Sequence, residues 1–497
     1  MANGGIIGTV NNPTSSTATG VWQQEEQYEA VRDGTWPSRP LFTTKSLRFN
    51  RGSSDFLRRT MSTAGTSDKI GTYSGWVKRS TVSLDGMFFE GKDLAANNYT
   101  QIYFLATGKL TIYGSTGPMD IVTTALFRDP SAWYHVVVAF DTTQGTASNR
   151  VKIYVNGTQF TSVTNGNGDA AQYPSQNSTI YFGVNGDQQG IGIREDGALL
   201  WNGYMSEIIY VDGQALAPTS FGVANSSGFW TPIIYAGTYG NNGFNLQFEN
   251  AAALGTDSSP NGNTFTVSNL TSIDQTTDYP EVNYATLNIL DTFYTSSTIS
   301  EGALTLVGGG TNANMNATIG LASGKWYWET KVSDWQGSNN SAIGISSESP
   351  TATNYEFYNQ SGNNTGYGYY SNGSVYGNGG TPASGYGSAS GTHYISVALD
   401  LDNNKIAWGY DGTFQGSANP ATGANMIAIA APSTLATGLY FPAFTNKSGT
   451  KTLNVNFGNP TYALSSAVAD GNGYGNFEYA VPSGFYAINT ANLAEFG

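Results

Sequence analysis

The sequence predicts an all-β protein of more than one domain, and three observations carry the prediction. Only 11% of the 497 residues are charged, while 62 are glycine and 31 tyrosine; an average globular protein is about 25% charged. Aromatic residues make up 13%, enough to fill large cores, so the low charge does not read as disorder. From about Lys45 onwards apolar residues recur with a period of two, the spacing that lines one face of a strand. Gly, Asn, Ser and Thr punctuate these runs, supplying the positive-φ positions and side-chain caps that tight turns need. At about 150 residues per domain the length allows roughly three units.

The elements follow in order. Residues 1–42 stand apart. MANGGIIGTVNNPTSSTATG is small and polar and reads as an extended arm, and VWQQEEQYEAVRDG reads as one short helix. Glu25 and Glu26 sit in its first turns, and Asp33-Gly34 supplies a stop. A piece this short cannot fold alone, so either Ile6, Ile7, Trp22, Tyr28 and Trp36 attach to another surface or the stretch is a flexible leader. Strands are then expected in SLRFNRGSSDFLRR, TYSGWVKRS, MFFEG, TQIYFLATGKLTIYG, WYHVVVAFD, NRVKIYVNGTQF, STIYFGVNG and LWNGYMSEIIYVDGQAL. Asn156-Gly157 within NRVKIYVNGTQF is the strongest two-residue hairpin signal of this region. FNLQFEN (244–250) and NTFTVSNL (263–270) read as strands that return to this first unit, since an isolated hairpin is only marginally stable. TDYPEVNYATLN (277–288) reads as an extended linker into a second unit ending near Pro460, and 461–497 is a Gly/Tyr-rich tail.

Charge and composition exclude several functions. The net charge is −14, from 35 acidic and 21 basic residues, and no Lys/Arg run exceeds two. A nucleic-acid surface needs a basic patch, so nucleic acid is not an expected partner. No run of about 18 apolar residues exists, so membrane insertion is not expected. The opening MANGGIIGTVNNP has no basic segment followed by an apolar core, so no signal peptide is expected. With no cysteine, disulfides and thiolate metal sites are ruled out.

An ordered series of phrases, GKWYWE (324–329), AIGIS (342–346), GYGYYSNGSVYGNG (366–379), ISVALDLDNNKIAWGYDG (395–412), FPAF (441–444) and VNFG (455–458), resembles a SPRY domain. That resemblance implies a curved antiparallel β-sandwich that binds other molecules through its loops. WVKR, WYHV, KIYVNG and WNGYMSEI, in that order between about Ser46 and Gly222, resemble the laminin-G-like, concanavalin A-like jelly roll. The leader, IIYVDGQALAPTSFG (208–222) and the closing FEYAVPSGFYAINTANLAEFG are similar to segments of marine and cyanobacterial tailed-phage structural proteins. The expected architecture is therefore all-β, with two antiparallel sandwiches in tandem. An arm (1–42) attaches to the virion, a jelly roll with returning strands and linker spans 43–285, a SPRY-like sandwich 286–460, and 461–497 packs on it.

Catalytic groups are sparse. The two histidines, His135 and His393, each lie at a strand entry. No serine stands in a nucleophile elbow, and no zinc spacing occurs. Glu207 and Glu329 stand alone, whereas glycosidases set carboxylates roughly 5 to 9.5 Å apart. Asp400, Asp402 and Asn404 open like a calcium loop but continue as a strand, and so read as a turn; Asp187 and Asp196 are a weaker metal pair. No catalytic residue, metal or cofactor is expected. Recognition instead falls to the set Tyr367, Tyr369, Tyr370 and Tyr376, which pair flat apolar area with a polar tip amid Gly, Asn and Ser; the alternative is that half of them alternate into the core and the glycines serve turns.

The resulting expectation is a non-enzymatic phage surface protein, a tail fibre, appendage or head fibre. Its partners are other phage structural proteins through the arm, and a host-surface glycan or protein through the sandwiches. A homo-oligomer, by analogy a trimer, is the expected state. A capsid cement protein without ligand and a capsule depolymerase are the alternatives.

Overall fold

A computed structural model describes residues 44–497 except 116, 292–296, 309–312, 336–340, 349–356, 358–365, 378 and 448–450. The arm residues Ile6, Ile7, Trp22, Tyr28 and Trp36, and the helix expected beside them, lie outside the described residues. The described chain is all-β, built of two sandwiches.

In the first sandwich one sheet runs in the order Thr158–Phe160, Val151–Val155, Trp133–Asp141, Ile70–Arg79, Gly203–Asp212, Ser46–Phe49, Gln275–Thr276, and Phe244–Leu246 pairs with Ile208–Tyr210. The facing sheet runs Val163–Thr164, Met119–Thr123, Leu110–Gly114, Asn98–Phe104, Gly86–Asp93, Gln188–Ile191, Phe56–Thr60, Thr266–Ser268. FNLQFEN and NTFTVSNL thus each return a strand, one to each sheet. The Asn156-Gly157 turn closes the hairpin between Val151–Val155 and Thr158–Phe160 with φ of 47° and 78°, the double positive φ of a type I′ turn. Between the sheets lies an aromatic core in which Phe89 stacks on Phe182 at 4.3 Å.

WYHVVVAFD is apolar almost throughout because both of its faces are covered. Tyr134, Val136, Val138 and Phe140 point into the core. On the outer face, Val137 packs with Ile209, Val211, Phe221 and Tyr235, while Trp133 packs with Trp76 and Tyr204. The segment after Asp212 therefore forms a third layer over this sheet. Part of that layer is a separate two-stranded hairpin, Gly222–Ala224 with Trp230–Pro232.

The second sandwich pairs a nine-stranded sheet, centred on Lys325–Val332, His393–Asp400 and Lys405–Tyr410, with a six-stranded sheet containing Phe441–Asn446, Ser341–Ser346 and Gly366–Tyr370. Trp326 and Trp328 share the inward face of their strand, fully buried with Trp335 and Trp408. Tyr327 and Glu329 face the other way, where the tail covers them. The Glu329 carboxylate accepts hydrogen bonds from the Tyr327 hydroxyl and from the Glu478 and Tyr479 N–H groups. Tyr486–Ala487 adds a parallel pairing beside Trp326–Tyr327, and the chain ends in the helix Thr490–Phe496, capped by Asn489.

The segment 277–288, read from its sequence as an extended linker, is packed rather than solvated. Val282, Tyr284, Ala285 and Leu287 are buried. Asp278 is fully buried, ion-paired to Lys78 at 2.8 Å and bonded to the Trp133 indole N–H at 3.0 Å. Lys78 also donates to Asn283 Oδ1 at 2.6 Å and to the Tyr284 carbonyl at 3.0 Å. Buried Arg48 reaches the Ile273 and Pro460 carbonyls, and the Tyr204 hydroxyl bonds the Gly302 carbonyl at 2.9 Å. The junction is thus a polar seam with named partners, as buried charge requires.

Candidate ligand-binding groove

The groove is built by side-chain alternation on three neighbouring strands. In Asn98–Phe104 the side chains of Ile102 and Phe104 enter the core, which leaves Tyr99, Gln101 and Tyr103 on the outer face. In Leu110–Gly114, Leu110 and Ile112 go inward and Tyr113 outward, while Gly86–Asp93 contributes Glu90 and Lys92. The register sets Glu90 beside Gln101, Gln101 beside Tyr113 and Tyr113 beside Asp120, a row across four strands; Lys92 lies beside Tyr99. The loop at Arg194–Asp196 folds over one side, held by the Glu195 N–H donating to Glu90 Oε2 at 2.5 Å. Together these residues enclose about 270 Å³.

Each polar group is oriented by a neighbour. The Gln101 amide donates to Glu90 Oε1 at 2.6 Å. Lys92 donates to Asn97 Oδ1 and lies 5.1 Å over the Tyr99 ring. Arg194 and Asp196 form a fork, with contacts of 2.9 and 2.7 Å. Tyr99 and Tyr113 stack at 6.0 Å. Burial pushes the Glu90 carboxyl up to about 7, against the opposing pull of the hydrogen bonds from Gln101 and Glu195 and of the Lys92 charge. Near neutral pH the groove thus carries an acid that is part protonated, able to donate or accept a hydrogen bond.

Other expected sites fall elsewhere. Tyr367 and Tyr369 are core residues, which corrects the expectation that they form a recognition surface. In GYGYY the tyrosines at 367 and 369 alternate inward, and their hydroxyls are spent on the Ala430 N–H and the Gly387 carbonyl. Tyr370 and Tyr376 lie on the outer face of the same sheet, packed with Phe357, Ala342 and Ala443; Tyr370 is itself buried and only Tyr376 keeps partial exposure. Asp400 and Asp402 serve the expected turn, accepting from the Asn403 and Gly324 N–H groups, and Asn404 takes a φ of 53°. Glu207 sits at a bulge in Gly203–Asp212 with φ 46° and accepts from Gln247. Among the described residues no group of three or more His, Asp or Glu is placed to hold a metal ion.

The histidines have structural partners. His393 bonds Asp411 at 2.7 Å and stacks on Tyr410. His135 is fully buried, and its Nε2 lies 2.9 Å from Ser74 Oγ. This looks like a nucleophile and its base, but the protons run the wrong way. The Trp230 indole N–H donates to His135 Nδ1 at 2.8 Å, so Nε2 carries the ring proton and donates to the serine. A general base would have to accept there. Burial also pushes the ring down to about 3.

Glu90, Tyr99, Gln101, Tyr103 and Tyr113 were not singled out from the sequence. Their signal was present in NYTQIYF, whose outward positions hold two tyrosines and a glutamine rather than small or charged side chains. The loop that turns this face into a groove arrives about a hundred residues later.

Residues 52–208 match the family described as the Concanavalin A-like lectin/glucanases superfamily. No curated protein sequence matches the chain. Among solved structures, the SPRY domain of human HERC1 is similar at 16% identity, covering 34% of this chain and 96% of that one, with a TM-score of 0.26. The native heptameric SAP-like pentraxin from Limulus polyphemus is similar at 18% identity, covering 35% and 77%, with a TM-score of 0.25. Domains LG4-5 of the mouse laminin alpha1 chain are similar at 11% identity, covering 84% and 90%, with a TM-score of 0.28. The segment matched by the lectin/glucanase family contains every residue that lines the groove.

Proposed function

We infer that the chain is a non-enzymatic recognition protein whose first sandwich binds a glycan in the groove around Tyr99 and Gln101. The observation that carries this reading is the combination of the Tyr99–Tyr113 stack, in which Tyr113 is exposed, with the Arg194–Asp196 fork and the buried Gln101 and Glu90 that line the same groove. Sugars present apolar C–H faces and hydroxyl rims, and an aromatic platform edged by oriented donors and acceptors suits both. The family similarity of the same segment, whose description includes lectins, supports the reading. Titrating the full chain against an array of neutral and acidic oligosaccharides tests it. Binding weakened by Tyr99→Ala, with the fold unchanged by circular dichroism, is the expected result; wild-type binding in that variant overturns it.

The setting we propose is the surface of a tailed-phage particle. There the arm attaches the chain to other virion proteins as a homo-oligomer, by analogy a trimer, and the sandwiches face a host-surface glycan or protein. Among the described residues no helix is long and apolar enough to cross a membrane. Immunogold labelling of intact virions tests this placement and separates a tail appendage from a capsid decoration.

One observation favours a second reading. A carboxyl near 7 is what a glycosidase general acid requires, and Glu195 and Asp196 line the same groove. Reducing-end release from a bound polysaccharide, lost in Glu90→Gln, distinguishes a hydrolase from a lectin.

A further inference from the structure

A larger groove, of about 810 Å³, lies on the opposite side of the first sandwich. Its floor is Trp76 and Trp133, outward residues of Ile70–Arg79 and Trp133–Asp141, whereas the groove described above lies on the facing sheet. One wall is the separate hairpin, with Phe229 and Trp230; the other is the segment Pro280–Asn283 with one side of the C-terminal helix at Ala491 and Ala494. The volume is in the range of small-molecule sites, about 300 to 1,000 Å³.

Two features separate this groove from ordinary packing. Phe229 stands 71% exposed, the most exposed large hydrophobic side chain among the described residues. It contributes almost no burial to the fold. The turn before it is held without its ring, by the Ser227 and Phe229 N–H groups donating to Asn225 Oδ1. The hairpin is also fixed in place: Trp230 donates to His135, stacks on it and covers Gly157, where an added Cβ would meet the indole at 2.5 Å. Phe229 is thus an exposed aromatic ring lining the same groove as Trp76 and Trp133, beside a tryptophan that is fixed in place.

The polar lining narrows the ligand. Asn156 and Asn225 spend their amide oxygens on the His135 N–H and on the turn, leaving their NH₂ groups as donors at the rim. The lining includes no Lys, Arg or His, and Glu281 is its only charged residue. Such a surface disfavours anions, while aromatic faces edged by amide donors suit a neutral sugar chain. We propose that this groove is a second binding site, for a neutral oligosaccharide, independent of the groove on the facing sheet.

The test uses the full chain titrated with cellotetraose, mannotetraose and maltotetraose, followed by tryptophan fluorescence, since Trp76, Trp133 and Trp230 all line the groove. At least one tetrasaccharide should give a saturable change. Phe229→Ala should weaken it by about fivefold or more, the loss of one aromatic contact worth about 1 kcal/mol. Ala494→Arg, at an exposed position on the opposite wall, should weaken it as well, and Tyr99→Ala should leave it unchanged. No saturable change with any of the three, or wild-type affinity in both groove variants, overturns the proposal. So does a signal lost only in Tyr99→Ala, which would support the first groove instead.

Discussion

Replacing Glu90 with glutamine gives the most specific test of the groove's electrostatics. The Glu90 carboxyl is 2% exposed, and burial raises it from an ordinary value of 4.5 to about 7. Between those pH values the folded chain binds more protons than the unfolded chain, so this group's contribution falls as pH rises from about 4.5 to 7 and then levels off. Each unit of separation corresponds to about 1.4 kcal/mol, so the full ionisation cost is on the order of 3 kcal/mol. Most of it, about 2 to 3 kcal/mol, accumulates between pH 5 and pH 8. Glutamine cannot ionise, but its NH₂ faces either the Gln101 amide or the Glu195 N–H, both of which donate to Glu90. That mismatch costs about 1 to 3 kcal/mol at every pH. The informative quantity is therefore the change in the variant-minus-wild-type difference with pH. Urea denaturation at pH 5 and pH 8 should show that difference moving by about 2 to 3 kcal/mol in favour of Glu90→Gln. A difference that stays constant across that range would show that Glu90 ionises normally and that its burial has been misjudged.

Two further predictions address the frame that holds the grooves. Lys78→Met strands the fully buried Asp278 without its cation and should cost about 3 to 5 kcal/mol, read as a lowered urea midpoint. A midpoint equal to wild type would mean that the polar seam between the sandwiches contributes nothing to stability. Gly344→Ala places a Cβ 1.9 Å from the Tyr367 carbonyl oxygen, where only backbone displacement can make room. It should lower the melting temperature by several degrees or more, about 1 to 3 kcal/mol of overpacking, and an unchanged melting curve would contradict the strand spacing described.

Much of the fold was legible because local pattern and tertiary environment agree. The inward pairs Trp326/Trp328 and Ile102/Phe104 obey the period of two, and Asn156-Gly157 marks its hairpin unaided. GYGYY carried its own answer: strict alternation of Gly and Tyr places Tyr367 and Tyr369 on one face, and the glycine-lined face left no reason for both to be exposed. Elsewhere the missing signal lay far along the chain. Nothing local to TDYPEVNYATLN announces that Asp278 meets Lys78, two hundred residues earlier, and converts a linker into a buried seam. The groove was hidden in the same way. Glu90, Gln101 and Tyr113 look like an ordinary solvent face until Arg194–Asp196 closes over them. WYHVVVAFD was read only as a strand, although Val137 between Val136 and Val138 is the pattern of a strand covered on both faces.

Whether the sheet face bearing Tyr99, Gln101 and Tyr113 binds glycan is decided by a crystal structure of the full chain with the tightest-binding oligosaccharide from the array. The expected result is a sugar ring stacked on Tyr99 or Tyr113, with a hydroxyl within hydrogen-bond distance of Gln101 or Glu90. A ligand bound wholly elsewhere, with this face left bare, would contradict it.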